Sequence, residues 1–246
     1  MNKALYVAMT GAKEILNAQA VNNFNLANVN TTGFKAELSA FQSQAVEGSG
    51  YASRVYATAN SSGWNDASGS MITTGRPLDV AVQGRGFIAV QGPNGQEAYT
   101  RNGDLHVEAS GMLVTSTGQL VLGDSGPISV PPSASVKIGS DGTVSAVPLG
   151  QTPDTLVTLG RIKLVNPPPT SLVRGGDGLF VTNTGKPAPA DATVRLASGV
   201  LESSNVDVAN AMVNMIDLAR SWDLQVKVMK SVKSNSSAAS QLLQPG

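Results

Sequence analysis

The sequence predicts an α+β protein in which long N- and C-terminal helices form a coiled-coil-like core domain around an inserted, irregular β-rich domain. Three observations lead there. Apolar residues near both ends recur at intervals of three and four, the helical period. The stretch between them alternates apolar and polar residues and is broken every few positions by Gly or Pro, the pattern of short strands and turns. A Ser-, Ala- and Gly-rich segment separates the first helix from the strands. These changes divide the chain into a discontinuous helical core of residues 1–34 and 204–246, an extended linker over 35–75 and a β-rich outer domain over 76–203.

The first helix is expected from about residue 2 to 30. This segment has no Pro, and its only Gly is Gly11. Leu5, Met9, Ala12, Leu16, Ala20 and Leu26 form a thin stripe, and Asn17, Asn22, Asn23, Asn25, Asn28 and Asn30 lie beside it. A helix of ~25 residues would be about 38 Å long. A narrow apolar seam flanked by amides suits helix–helix packing better than burial in a globular core. The helix should stop near Asn28–Gly33, where Asn, Thr and Gly gather.

Within the linker, residues 53–59 could form a short strand. The β-domain then opens with Leu78-Asp-Val80-Ala-Val82, turns at Gly84-Arg85-Gly86 and continues through Phe87-Ile-Ala-Val90. Tyr99-Thr-Arg101 runs into Asn102-Gly103, a strong hairpin signal. Further strands are expected at Leu105–Val107, Met112–Val114, Gln119–Leu122, Ser135–Ile138, Thr143–Ala146, Gly160–Val165, Gly178–Val181 and Val194–Leu196. The second helix is expected from 204 to about 233. Ser204-Asn-Val-Asp207 fits a capping box. Val208, Ala211, Met215, Leu218, Trp222, Gln225, Met229 and Val232 then trace a heptad-like seam, with Met212, Ala219 and Val226 widening it. Lys227, Lys230 and Lys233 complement the negative end of the helix dipole, and fraying is expected over 234–240.

Charge and composition narrow the function. Of 246 residues only 14% are charged, against 41% hydrophobic, a sparse charge density that burial in an assembly explains. Seventeen basic residues balance seventeen acidic ones, so no overall field draws the chain to nucleic acid or anionic membranes. Aromatics are 4%, against a large aromatic core, and no cysteine is present for a disulfide or thiolate site. No secretory signal is recognised at the start, and no window reaches the length of a membrane span.

Catalytic patterns are weak, and no enzyme activity, cofactor, metal or small-molecule substrate is expected. Gly123-Asp-Ser-Gly-Pro127 resembles a protease nucleophile loop, but the sole histidine, His106, lies on a predicted strand with no evident orienting partner. A lone histidine is also a poor metal site. Gly84-Arg-Gly-Phe-Ile-Ala89 has dinucleotide-loop spacing but precedes a strand rather than a helix, so a turn is favoured. Basic residues lack aromatic interleaving, so Arg101 reads as a hairpin or interface residue rather than a nucleic-acid contact. The Met-bearing stripe of the last helix reads as packing, since its polar face lacks a continuous run of Lys and Arg.

Several motifs together resemble the flagellar rod and hook protein family, in that family's order. They are Asn25-Leu-Ala-Asn-Val-Asn-Thr-Thr-Gly-Phe-Lys35, Tyr99-Thr-Arg-Asn-Gly-Asp-Leu105, Gly199-Val-Leu-Glu-Ser-Ser-Asn-Val206, and Met215-Ile216 with Arg220. Within the family, Ala4–Met9, Arg76–Val82 and Gly178-Leu-Phe180 resemble proximal-rod members, with distal-rod members second. Thr32 departs from the Pro or Asn expected there, with the turn kept by Gly33. The resemblance implies a structural subunit exported unfolded through the flagellar type III apparatus, without a cleavable signal peptide. It would polymerise helically with copies of itself and other rod proteins in the periplasmic part of the basal body. The hollow shaft so formed would conduct later subunits and transmit torque. Assembly contacts are expected at Leu5, Met9, Leu16 and Leu26, at the Asn28, Gly33 and Phe34 junction, at Asn205, and at Met215, Leu218, Arg220, Trp222 and Met229. For Glu202 and Asn205 the plainer reading is helix approach and capping. A secreted β-rich binding module and a hydrolase are the competing classes.

Overall fold

Residues 3–45, 55–151 and 155–242 are described by the computed structural model. They divide into a helical unit, drawn from 1–28, 36–65 and 206–246, and a β-rich unit, drawn from 29–35 and 66–205.

The helical unit contains α1, Lys3–Ala27, and α2, Val208–Leu242, together with a hairpin of strands Glu37–Ala45 and Val55–Trp64. The helices run antiparallel. The Asn22 side-chain amide donates to the Ala211 carbonyl at 2.8 Å, and the Gln225 amide donates to the Ala8 carbonyl at 3.0 Å. Gly11 makes room for the second of these, because a Cβ there would lie 2.4 Å from Gln225 Nε2.

This arrangement overturns the expected coiled-coil core. Only two α-helices occur among the described residues, and apart from one 3-10 turn at Pro169–Ser171 the remaining regular structure is antiparallel strand. A heptad seam needs large apolar knobs. The buried positions of this unit's helices are instead small or polar: Ala8, Ala12, Ala18 and Ala211, with Glu14 and Asn22. Of the expected seam on α2 only Ala211 is buried. Small side chains let the backbones approach, and amides then bond to the carbonyls opposite.

The segment 35–75, expected as an extended linker, carries the hairpin, paired in register as Phe41↔Ala59 and Ser43↔Ala57, and a strand Met71–Thr73. Small residues weaken the apolar pattern of a strand without weakening its backbone ladder. Part of the short strand expected at 53–59 lies outside the described residues. The capping residue of α2 is Asp207 rather than Ser204, its carboxylate accepting from the Asn210 amide at 3.2 Å. A carboxylate at that position also complements the positive end of the dipole. The helix then continues through the Ser-rich stretch where fraying was expected, to Leu242.

All strand pairs in the β-rich unit are antiparallel. A five-stranded sheet has the order Leu164–Val165, Phe87–Gln91, Glu97–Thr100, Phe180–Thr182, Leu172–Arg174. A three-stranded sheet joins Ser133–Ile138, Thr143–Pro148 and Val157–Arg161. Arg195–Ser198 pairs with Val80–Gln83, and Val200–Glu202 pairs with Met71–Thr73. The core is aliphatic, as the low aromatic content requires, with Val80, Val82, Ile88, Val90, Leu113, Val121, Val144, Ile162 and Leu196 fully or nearly fully buried.

Asn102-Gly103 does not close a hairpin. Glu97–Thr100 pairs with Phe87–Gln91 and Phe180–Thr182, while Leu105–Val107 pairs with Leu113–Thr115. Gly103 is there for close approach: its carbonyl accepts from the Val80 amide at 2.9 Å, and a Cβ would fall 1.7 Å from the Val80 oxygen.

Candidate assembly site

The chain passes through the β-rich unit in separate stretches, and three of them meet around one carboxylate. Gly33 to Lys35 follows α1, Ala67 to Gly69 follows the hairpin, and Glu202 to Asn205 precedes α2. Glu202 ends the strand Val200–Glu202, which orients its side chain inward, with no exposed surface. Its Oε1 accepts from Lys35 Nζ at 2.8 Å and from the Gly69 amide at 2.9 Å. Its Oε2 accepts from Arg101 Nη1 at 2.8 Å.

Backbone bonds complete the clasp. The Gly33 amide donates to the Glu202 carbonyl at 2.8 Å, and the Asn205 amide donates to the Phe34 carbonyl at 3.2 Å. The Ala67 carbonyl accepts from both Lys35 Nζ and Asn205 Nδ2 at 2.8 Å. Gly33 adopts φ +68°, a left-handed conformation that suits glycine, and packs against the Arg101 backbone. Phe34 is buried under the Arg174 guanidinium, which lies 4.2 Å from the ring centroid and donates to the Lys35 carbonyl at 2.6 Å. Arg174 also faces Phe180, which meets Phe87 at 5.3 Å between centroids. Arg101 donates further to the Val82 and Gly84 carbonyls and lies over the Phe87 ring.

The electrostatics follow from burial. Two cations share one carboxylate, so the ion pairing is one negative charge short. Burial pushes the Lys35 ammonium below its ordinary range, against the opposing pull of Glu202. Nearby, burial alone would raise the Asp79 carboxyl, but hydrogen bonds from Arg76 and Thr74 hold it below the usual value. The Tyr99 hydroxyl is pushed up to about 12, chiefly by burial, while it accepts from the Ala188 amide at 2.6 Å and donates to Glu97 at 2.9 Å.

Three residues expected from sequence, Gly33, Phe34 and Asn205, meet at this clasp. Asn28 instead donates its side-chain amide to the Phe24 carbonyl at 2.9 Å, closing the last turn of α1. Sequence reading missed Lys35 and Arg174 and left Arg101 as an ordinary hairpin or interface residue. The signal available was Lys35 directly after Gly33-Phe34, a charged residue in an otherwise apolar anchor.

In the helical unit, the expected contact residues separate onto different faces. Leu5, Leu26, Met215, Leu218, Trp222 and Met229 are half-buried, whereas Met9, Leu16 and Arg220 are exposed. Tyr6, Met9, Leu16 and Phe24 fall within about 80° of arc on α1, at about 100° per residue, and all are exposed. Val213, Ile216, Leu224 and Val228 likewise fall within an arc about 120° wide on α2, opposite the half-buried row and interrupted by Asp217, Arg220 and Lys227. Ile216 is 53% and Leu224 61% exposed. Exposed large apolar side chains clustered on one helix face are the kind of surface that buries against another protein.

The motifs considered for catalysis are turns. Asp124-Ser125 connects the paired strands Leu122–Gly123 and Gly126–Pro127, and Gly84-Arg85-Gly86 connects two strands. Among the described residues no three His, Cys, Asp or Glu side chains gather to hold a metal, and no helix is long and apolar enough to cross a membrane.

The geometry thus defines a class: a protein with a clasped β-rich unit and a separate helical unit whose helices expose large apolar side chains. Comparison with known proteins gives that class a family. Residues 81–146 match the family model described as the flagellar hook protein FlgE/F/G D1 domain, and residues 197–242 match that of the flagellar basal body rod FlgEFG protein C-terminal region. The chain is 44% identical over 249 residues to the flagellar basal-body rod protein FlgF of Escherichia coli (strain K12), covering 99% of each. It is 43% identical to the FlgF of Salmonella typhimurium, again over 99% of each. With the flagellar basal-body rod protein FlgG of Bacillus subtilis (strain 168) it shares 34% identity, covering 93% of this chain and 94% of the relative. The chain belongs to the flagellar basal-body rod and hook protein family.

Proposed function

We propose that this protein is a non-enzymatic structural subunit of the flagellar basal-body rod, at its proximal section, and that α1 and α2 are its assembly elements. Full-length identity of 44% to a FlgF protein carries the reading, and the 34% shared with a FlgG protein makes the distal section the weaker choice. The exposed stripes on both helices support it physically. Burying them against copies of the chain and other rod proteins releases about 25 cal/mol per Å² of apolar surface, enough to drive association of many small faces. Contacts between unlike faces do not close, so they propagate as a helix and build a tube. Passage through the flagellar export apparatus in an unfolded state accords with an aliphatic chain free of cysteine. The expected interface set extends to Leu5, Leu26, Met215, Leu218, Trp222 and Met229 if the helical pair repacks on assembly.

The test is a double substitution, Ile216→Asp with Leu224→Asp, on exposed positions of α2. The purified chain should keep its unfolding free energy, measured by urea denaturation, within about 0.5 kcal/mol, as surface changes do. Cells carrying it should lose swimming, and the subunit should be missing from detergent-extracted basal bodies. Normal incorporation and swimming would refute the assignment of this face. Absence of the unaltered chain from basal bodies would refute the rod assignment itself.

A further inference from the structure

We infer that Glu202 is the closing latch of the β-rich unit: its carboxylate is the piece without which the unit cannot hold its closed form, so closure waits until the chain is present through residue 202.

The argument begins with chain order. Lys35 and Arg101, the two cations that Glu202 touches, come earlier in the chain, and Glu202 arrives after almost every strand of the unit. The side chains of Lys35 and Glu202 have no exposed surface, and that of Arg101 is 1% exposed. Without Glu202, the core that surrounds Val80, Val82 and Phe87 would have to enclose two cations with no carboxylate in contact. A buried charge whose partner is removed is far more damaging than a buried pair is helpful. Asp66 acts on Lys35 only through its charge and is itself paired with Arg85 at 3.5 Å. Arg174, the remaining cation of the cluster, adds positive charge and bonds to the Lys35 carbonyl.

Glu202 also acts through its position. Its carboxylate holds the Gly69 amide and its carbonyl holds the Gly33 amide, so one residue fixes both of the other stretches that meet it. A Cβ on Gly69 would lie 1.9 Å from the Ser203 carbonyl oxygen, so residues 202–203 can seat against this stretch only because position 69 is glycine. The Lys35–Arg101 side of the site is therefore a receptor with excess positive charge, and Glu202 is the group that fits it. This reasoning concerns the β-rich unit by itself and stands whether or not the rod assignment holds.

Hydrogen exchange on the full-length chain tests the latch, read at the amides of Val82, Ile88 and Val90. Glu202→Gln keeps the shape and removes the charge. It should lower protection there at least a hundredfold, while α2 amides near Asn214 exchange as before. Lys35→Met leaves Arg101 and Glu202 as a balanced pair and should keep or raise protection. Lys35→Met combined with Glu202→Gln should recover at least tenfold of what Glu202→Gln alone loses. Wild-type protection in Glu202→Gln would overturn the proposal. So would a Lys35→Met chain as damaged as Glu202→Gln, or a double variant with no recovery, because either result would make the site ordinary packing.

Discussion

Gly33→Ala is the sharpest single test of the clasp. At φ +68° an L-residue carries a conformational cost of about 1–2 kcal/mol. The added methyl would also lie 2.2 Å from the Arg101 carbonyl carbon, 2.3 Å from its oxygen and 2.6 Å from the Asn102 nitrogen. These are backbone atoms, which cannot swing aside like the end of a side chain. Forced displacement of packed structure costs about 1–3 kcal/mol, giving a total of roughly 2–5 kcal/mol. Gly178 separates the two contributions, because its φ is +81° but a Cβ there meets nothing within 4 Å. Gly178→Ala should therefore show the conformational cost alone. Native-state hydrogen exchange at Ile88 and Val90 in each full-length variant gives the free energy of opening. If Gly33→Ala costs no more than Gly178→Ala, the close approach to Arg101 has no energetic weight and the clasp is wrongly drawn.

The opposite outcome is expected for Gly11→Ala. There the neighbour is the tip of Gln225, so the lost amide bond of about 1 kcal/mol is offset by about 1 kcal/mol of helix propensity, and the unfolding free energy from urea denaturation should stay within roughly 0.5 kcal/mol of the parent. Lys35 has a signed pH dependence. Its ammonium is depressed in the folded chain, so the unfolded chain binds more protons as pH approaches the ordinary lysine value of 10.5, and its contribution to stability rises through that window. The urea midpoint of the β-rich unit, measured from pH 7 to 10, should climb more steeply in the parent than in Lys35→Met; parallel curves would refute it. Tyr99 contributes with the reverse sign and later. Its raised value of about 12 means that stability is intact below pH 10 and falls as pH rises towards 12, and Tyr99→Phe should flatten that fall.

The periodic parts of this sequence were legible because burial leaves a period behind. The two helices, the aliphatic β core and the turns at Gly84-Arg85-Gly86 all follow from spacing. Their partnerships were harder to read. The row from Met215 to Val232 on α2 does turn inward, but towards small residues and amides rather than matching apolar layers, so a seam was read as a coiled coil. Asn102-Gly103 is a hairpin signal by local chemistry, and a tertiary contact with Val80 claims it instead. The hairpin from Glu37 to Trp64 was hidden by its small residues. At the clasp, Gly33, Phe34 and Asn205 were visible as a motif. The ion cluster behind them was not, because Lys35, Arg101 and Glu202 come together only across separations of 101 and 167 residues, and no local pattern records that.

The way the chain enters and leaves the β-rich unit also decides how that unit carries mechanical load. Tension arriving through residue 29 and leaving through residue 205 crosses the bonds from Gly33 to Glu202 and from Asn205 to Phe34 before it reaches the five-stranded sheet. The strands around Ile88 and Val121 lie outside that path. A pull on the ends is thus short-circuited at the clasp, and the five-stranded sheet is spared the strain that would otherwise unzip it one pair at a time.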